Sequence, residues 1–364
     1  MSKEGSNAST KSELQVVTLD IGDGNPFTAQ VIASRMGCEC RIAQSVYPAA
    51  VMHRLMSRNP HLSQLYTREQ DKVRNSGVFG AMGIAAALEL GPQLRFDGGH
   101  RIIAVQELTL KAIDLWCTMW GIRVPPCSFV IPDVCPKPTG IPIIRDFQEK
   151  YGLDVFTWNG RGCHVLEQNG IRPTLISPSF CLPEGYAPSS GSGVGEVFVY
   201  KTSGSGAPAV TTAFMRGVVP AMFPHLRHRV ITPGEVITIE PGTGNMHCKK
   251  RGQDRVSVYY EMMEDSPLIL SAGPGEVAMV AAGMRLNGWN GIVFLGPPRG
   301  LHEVDNGKFM GDYGLAVPGI VHGPGTTLSI FAEIMAHTGP HHGSASCRQL
   351  SDAIGKRSLY ELLG

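Results

Sequence analysis

Residues 255–317 constrain the fold more than any other stretch. A short apolar run at 268–270 leads into a glycine-bearing turn at 272–275. A segment of small residues, a second apolar run at 291–295 and a polar cluster at 302–306 follow. That order predicts strand, turn, helix, strand. A strand feeding a glycine turn into a helix N-terminus leaves backbone N–H groups and a positive dipole end facing one point, which suits a phosphate or pyrophosphate. The carboxylate and amide side chains beyond the next strand are then placed to hold sugar hydroxyls beside it. The segment predicts a nucleotide-sugar site.

The rest of the chain repeats the same grammar. Strands are expected at 14–20, 39–43, 127–131 and 153–156, and helices at 27–36, 104–120 and 163–170, with Gly37 and Gly121 closing two of them. Alternation of this kind argues for parallel α/β layers. Between 177 and 195 the composition turns to Pro, Gly and Ser, the mark of a linker. A strand at 196–201 then restarts the pattern. At 364 residues the chain has the length of two units of about 180 residues each. The boundaries expected are a flexible tail at 1–13, an α/β domain at 14–180, a linker at 181–195, a second α/β domain at 196–349 and a C-terminal helix at 350–364.

Several function classes lose support from composition. A net charge of +1 gives no broad electrostatic case for nucleic acid. No apolar run reaches the ~18–20 residues of a membrane span, and the apolar segment 78–90 reads as a packed helix that leaves a peripheral membrane contact open. Nine scattered cysteines and a polar N-terminus without a signal core point to a reducing cytoplasm. Twelve histidines show no paired metal-ligand spacing, so no metal is expected.

Three groups of residues carry the chemistry. Ser203, Gly204, Ser205 and Gly206 follow a strand and offer N–H groups and hydroxyls, though a plain turn has the same look. Gly273, Pro274, Gly275 and Glu276 precede a helix directly and make the stronger anion site. His302, Glu303, Asp305 and Asn306 form a candidate sugar clamp, unless they are simply solvated. Candidate bases are Asp23 in the first strand-to-helix turn, Asp97 and His100 around Gly98-Gly99, and, third, Asp133 after the strand at 127–131.

On these pieces the chain resembles the two-domain glycosyltransferases of the GT-B type, in the group of the lipid II-forming GlcNAc transferase and the monogalactosyldiacylglycerol synthases. VYKTSGSG at 199–206 is similar to that family's phosphate loop, and HEVDNG at 302–307 sits where the family carries its sugar-binding polar pair. The stretch before 268 resembles the family's base site and brings in Tyr260. The chain departs from the pattern in three places: Gly22-Asp23-Gly24-Asn25 lacks the family's loop histidine, Ala278 stands where a ribose-binding Glu is usual, and His302 replaces the first member of the polar pair. The resemblance implies two Rossmann-like domains facing across a cleft. It further implies transfer of a hexose or N-acetylhexosamine from a UDP-linked donor to an acceptor hydroxyl of a small molecule, glycan or lipid. Neither cofactor nor metal is implied, and a homo-oligomer is left open. The rivals are an epimerase or hydrolase of the same fold and a non-catalytic nucleotide-sugar-binding subunit. A dinucleotide enzyme ranks last, because no Gly-x-Gly-x-x-Gly with a downstream acidic residue is present.

Overall fold

Parallel strands are apolar on both faces and need cover on both, and the strands of the first half answer to that description. The structure, a computed structural model, describes residues 14–20, 24–43, 77–96, 99–188, 197–201, 221, 224–225, 227–231, 235–250, 256–257, 259–260, 268–271, 275–295, 301–317 and 344–363. Strands β1 (Leu14–Leu19), β2 (Glu39–Ala43), β3 (Arg101–Ala104), β4 (Cys127–Val130), β5 (Leu153–Thr157) and β6 (Pro173–Leu175) form one all-parallel sheet in the order β2-β1-β3-β4-β5-β6. Successive side chains go to opposite faces. Val16, Ile103, Val130 and Phe156 enter one apolar cluster, while Val17, Ile102, Phe129 and Val155 enter another.

Helices α1 (Gly24–Met36), α2 (Gly77–Leu90), α3 (Glu107–Trp120), α4 (Ile141–Tyr151) and α5 (Gly160–Gln168) link these strands. The helix expected over 104–120 forms over Glu107–Trp120, and its first expected residue, Ala104, instead ends a strand that the expectation lacked. Arg101–Ala104 pairs with both β1 and β4, and the helix starts only at Glu107. Helix α4 is absent from the expectation. It buries Ile141, Ile144 and Phe147 at helical spacing and ends on Gly152, whose φ of 76° is open to glycine without strain.

The second sheet has β7 (Val197–Lys201) at its switch point. Strands β8 (Arg227–Ile231), β11 (Leu268–Ser271), β12 (Ile292–Leu295) and β13 (Ala316–Val317) join it in parallel, in the order β8-β7-β11-β12-β13. Strands β9 (Glu235–Ile239) and β10 (Met246–Lys250) extend the β8 edge in antiparallel fashion. The basic residues Lys249 and Lys250 lie exposed on β10, two strands removed from β7 on the far side of β8 and β9. Helices α6 (Val277–Leu286) and α7 (Leu301–Asp312) follow β11 and β12, and α8 (Ser344–Ala353) and α9 (Leu359–Leu363) close the chain. The fold is therefore α/β, with two doubly wound sheets.

The two halves share a core. Helix α6 is buried at every position from Val277 to Arg285 because it lies between its own sheet and the 3-10 turn Pro178–Cys181. A Cβ on Gly283 would stand 3.0 Å from the Pro178 carbonyl oxygen, so a small residue is required at that crossing. The C-terminal segment reaches the first half. The Gly355 N–H donates to the Trp158 carbonyl (3.0 Å), the Ser177 N–H to the Arg357 carbonyl (2.8 Å), and the Tyr360 hydroxyl to the Phe180 carbonyl (2.8 Å).

Cys38, Cys40, Cys117, Cys127, Cys135, Cys163, Cys181 and Cys248 are free. No helix among the described residues is long and apolar enough to cross a membrane. Ile84 and Leu88 on α2 and Met119 and Trp120 on α3 are exposed.

Candidate functional site

In doubly wound sheets, ligands bind outside the carboxyl ends of the strands, near the switch point. Here the carboxyl ends of both sheets contribute to one junction. Strand β4 ends at Val130 and runs through Ile131 and Pro132 to Asp133. Three bonds pin that loop. The Ile131 N–H donates to the Phe156 carbonyl (3.0 Å), the Trp158 indole N–H to the Pro132 carbonyl (3.0 Å), and the Asn159 amide to the Val134 carbonyl (2.9 Å). Asn159 also caps α5, its Oδ1 accepting the Gly162 N–H at 2.9 Å.

Gly162 packs directly beneath this loop. An added Cβ would lie 2.5 Å from the Val134 oxygen and 2.7 Å from Thr157 Oγ1. Gly→Ala in an exposed helix is stabilising, but here the neighbour is a pinned backbone carbonyl. Gly162→Ala is expected to destabilise the protein by about 1–3 kcal/mol, the usual range for overpacking. A fall in the urea midpoint at unchanged m-value measures it. A rise would mean the loop yields.

The second half supplies the other wall. Asn306 on α7 is fully buried. Its Nδ2 donates to Asp133 Oδ1 at 3.0 Å and to the Gly275 carbonyl at 3.3 Å, and its Oδ1 accepts the Val134 N–H at 2.7 Å. Glu276 opens α6 and is 9% exposed, its carboxylate accepting a hydrogen bond from the Tyr259 hydroxyl. A carboxylate at a helix N-terminus is favoured by the dipole. The Tyr259 ring stacks on Phe27 of α1, with centroids 3.9 Å apart. Beside Asp133 is a recess of about 10 Å³, room for one water, also bordered by Asn25, Glu107, Lys137 and Gly140. Glu107 and Lys137 form an ion pair across it at 3.7 Å.

Apolar and charged contacts brace the junction. The Trp158 and Phe309 rings meet edge to face at 5.1 Å. Arg161 pairs with Asp312 and lies 5.6 Å above the Phe309 ring. Burial pushes the Cys135 thiol up to about 12, with the Asp305 carboxylate adding to the shift and Arg161 opposing it.

The structure brings together Gly275, Glu276 and Asn306 with Asp133. Glu303 on α7 is close by, its Oε1 being 4.0 Å from where a Cβ on Gly275 would lie. Asp305 is exposed, and His302 lies in the first turn of α7. The polar cluster thus forms the start of a helix. Tyr260 is partly buried against the shared core. Burial pushes its phenol up to about 12, with the Cys181 thiol adding to the shift and Arg35 opposing it. His100 precedes β3, at the amino end of the sheet and therefore at the opposite edge from Asp133. Asp23, Asp97, Ser203, Gly204, Ser205, Gly206, Gly273 and Pro274 lie outside the described residues.

The sequence alone ranks Asp133 behind Asp23 and the Asp97–His100 pair. Tyr259, the Glu107–Lys137 pair and the Trp158-Asn159 support are missing from the expectation. Asn159-Gly160 before a helix is a cap signal that pointed to the last of these. The others depend on contacts between distant segments.

No protein-family model matches the chain, and no curated protein matches it. Three solved structures are similar over nearly the whole chain. MurG of Acinetobacter baumannii is 11% identical with a TM-score of 0.46, covering 96% of this chain and 98% of its own. The glycotransferase of kitacinnamycin is 12% identical with a TM-score of 0.42, covering 93% of each chain. The glycosyltransferase VinC, in complex with dTDP, is 10% identical with a TM-score of 0.42, covering 96% of this chain and 97% of its own.

Proposed function

We propose that this protein is a metal-independent glycosyltransferase that moves a hexose or N-acetylhexosamine from a nucleotide sugar, UDP-linked by preference, to an acceptor hydroxyl. One observation carries the reading. A carboxylate after a strand of the first sheet, Asp133, touches the amide of Asn306 after a strand of the second, beside the N-terminus of α6. A donor seated on one sheet and an acceptor seated on the other would meet there.

The chemistry follows from what each group can do. Asp133 accepts the proton of the acceptor hydroxyl as its oxygen attacks the anomeric carbon. The bond from that carbon to the diphosphate breaks, and its electron pair leaves with the phosphate oxygen. Segments 203–206 and 273–275 follow the adjacent strands β7 and β11, so their backbone N–H groups are suited to the growing charge. Glu276 brings its own negative charge to α6, which suits it to hydroxyl groups better than to phosphate. Glu303 is the other candidate for the sugar. Asp23, which follows β1 in sequence, is the second candidate for the base.

A thermal-shift panel of UDP, GDP, dTDP, ADP, NAD and several UDP-hexoses tests this directly. A ligand at 100 times its Kd that binds only the folded protein adds about 2.7 kcal/mol of stability. The expected result is a clear rise in midpoint with one nucleoside diphosphate and its sugar conjugate. A shift with NAD alone would sink the proposal. Binding of UDP without any release of UDP from UDP-hexoses would favour the non-catalytic subunit.

A further inference from the structure

We infer that Asn306 is a positioning residue that orients Asp133, not a ligand of the donor sugar, and that it does so only while the two halves are apposed. The inference rests on the reading of Asp133 as the base. A primary amide has two N–H donors and an oxygen with two lone pairs. Both donors of Asn306 are directed at protein groups, Asp133 Oδ1 and the Gly275 carbonyl, and the oxygen already takes the Val134 N–H. With its side chain fully buried, only one lone pair is left for a sugar hydroxyl. The orientation of the amide is also determined. Reversed, it would set nitrogen against the Val134 N–H and oxygen against a carboxylate.

Among the described residues, Asn306 is the sole hydrogen-bond partner of Asp133. Fixing Oδ1 stops rotation of the carboxylate and leaves Oδ2 to take a proton. Asp133 and Val134 belong to the first half and Asn306 to the second, so the alignment is lost whenever the halves part.

The test is UDP release from a panel of UDP-glucose, UDP-galactose and UDP-N-acetylglucosamine by wild type, Asn306→Ala, Asn306→Asp, Asp133→Asn and the double variant Asp133→Asn/Asn306→Ala. Misalignment of a reacting group costs about 10–100-fold in rate. Asn306→Ala should lower kcat by that factor with the donor KM within about two-fold. Asn306→Asp still accepts the Val134 N–H but sets a second carboxylate against Asp133, so it should lose at least as much. It has nearly the shape of Asn, and it carries the test if the alanine variant gives no cooperative melt. In the double variant the loss should equal that of Asp133→Asn alone, because residues acting as one unit are not additive. A raised KM at unchanged kcat, multiplied losses in the double variant, or full activity in Asn306→Asp would each overturn the inference while leaving the base reading intact. Full activity in Asp133→Asn, or a wild type inert toward every donor, would overturn the base reading and this inference with it.

Discussion

Asp133→Asn is expected to lower kcat by about 10²–10⁴-fold, the usual worth of a general base, with little change in nucleotide affinity or melting midpoint. The substitution removes one negative charge and the ability to take a proton, and it keeps the shape of the side chain. The new amide oxygen still accepts from Asn306 Nδ2, now 3.0 Å from the carboxylate, so the loop stays where it is. UDP release and calorimetric UDP binding on the same preparations separate the two effects. Turnover within a few-fold of wild type would move the base to Asp23. A loss of UDP affinity in proportion to the loss of rate would mean that Asp133 belongs to the donor pocket.

The largest effect on stability is expected from Trp158→Ala. The side chain is fully buried, meets Phe309 edge to face, and holds the Pro132 carbonyl through its indole N–H. Truncation of a buried Trp costs about 3–5 kcal/mol, which at about 1.3 °C per kcal/mol for a cooperative unit of this size lowers the midpoint by about 4–7 °C. Trp158→Phe keeps most of the apolar area but orphans the carbonyl, at about 1–3 kcal/mol. Because Trp158 belongs to the first half and Phe309 to the second, both halves should lose stability together. A denaturation curve that splits into two transitions, only one of them displaced, would show that the shared core does not couple them.

The parts of the fold that were legible in the sequence are those where an apolar run meets a turn signal, as at β1, β4, β11 and β12. Strand β3 was not, because the four residues Arg101–Ala104 suit a buried strand as well as the start of a helix, and only pairing with β1 and β4 decides between them. Helix α7 was hidden by Gly307 and Gly311, each costing about 1 kcal/mol in a helix. It forms because buried Asn306, Phe309 and Met310 recur at helical spacing and pack against neighbours. The antiparallel strands β9 and β10 depart from the βα alternation that the rest of the half suggests. At the site, glycine turns mark the strand ends, yet the pairing of Asp133 with Asn306 joins positions 173 apart. No local pattern encodes such a meeting. Asp133 alone looks like any aspartate after a strand, and Asn306 like any polar residue on a surface.

The C-terminal segment bears on how the molecule is made. Residues 355, 357 and 360 bond to backbone at 158, 177 and 180, so those earlier groups find their partners only once the segment 355–360 has been made. Chains usually fold from the N-terminus as they emerge. Here the first half must wait on the ribosome with Trp158, Ser177 and Phe180 unpaired. A nascent chain that stops at residue 352 would keep both sheets' sequences and still lack the strap that completes the earlier one.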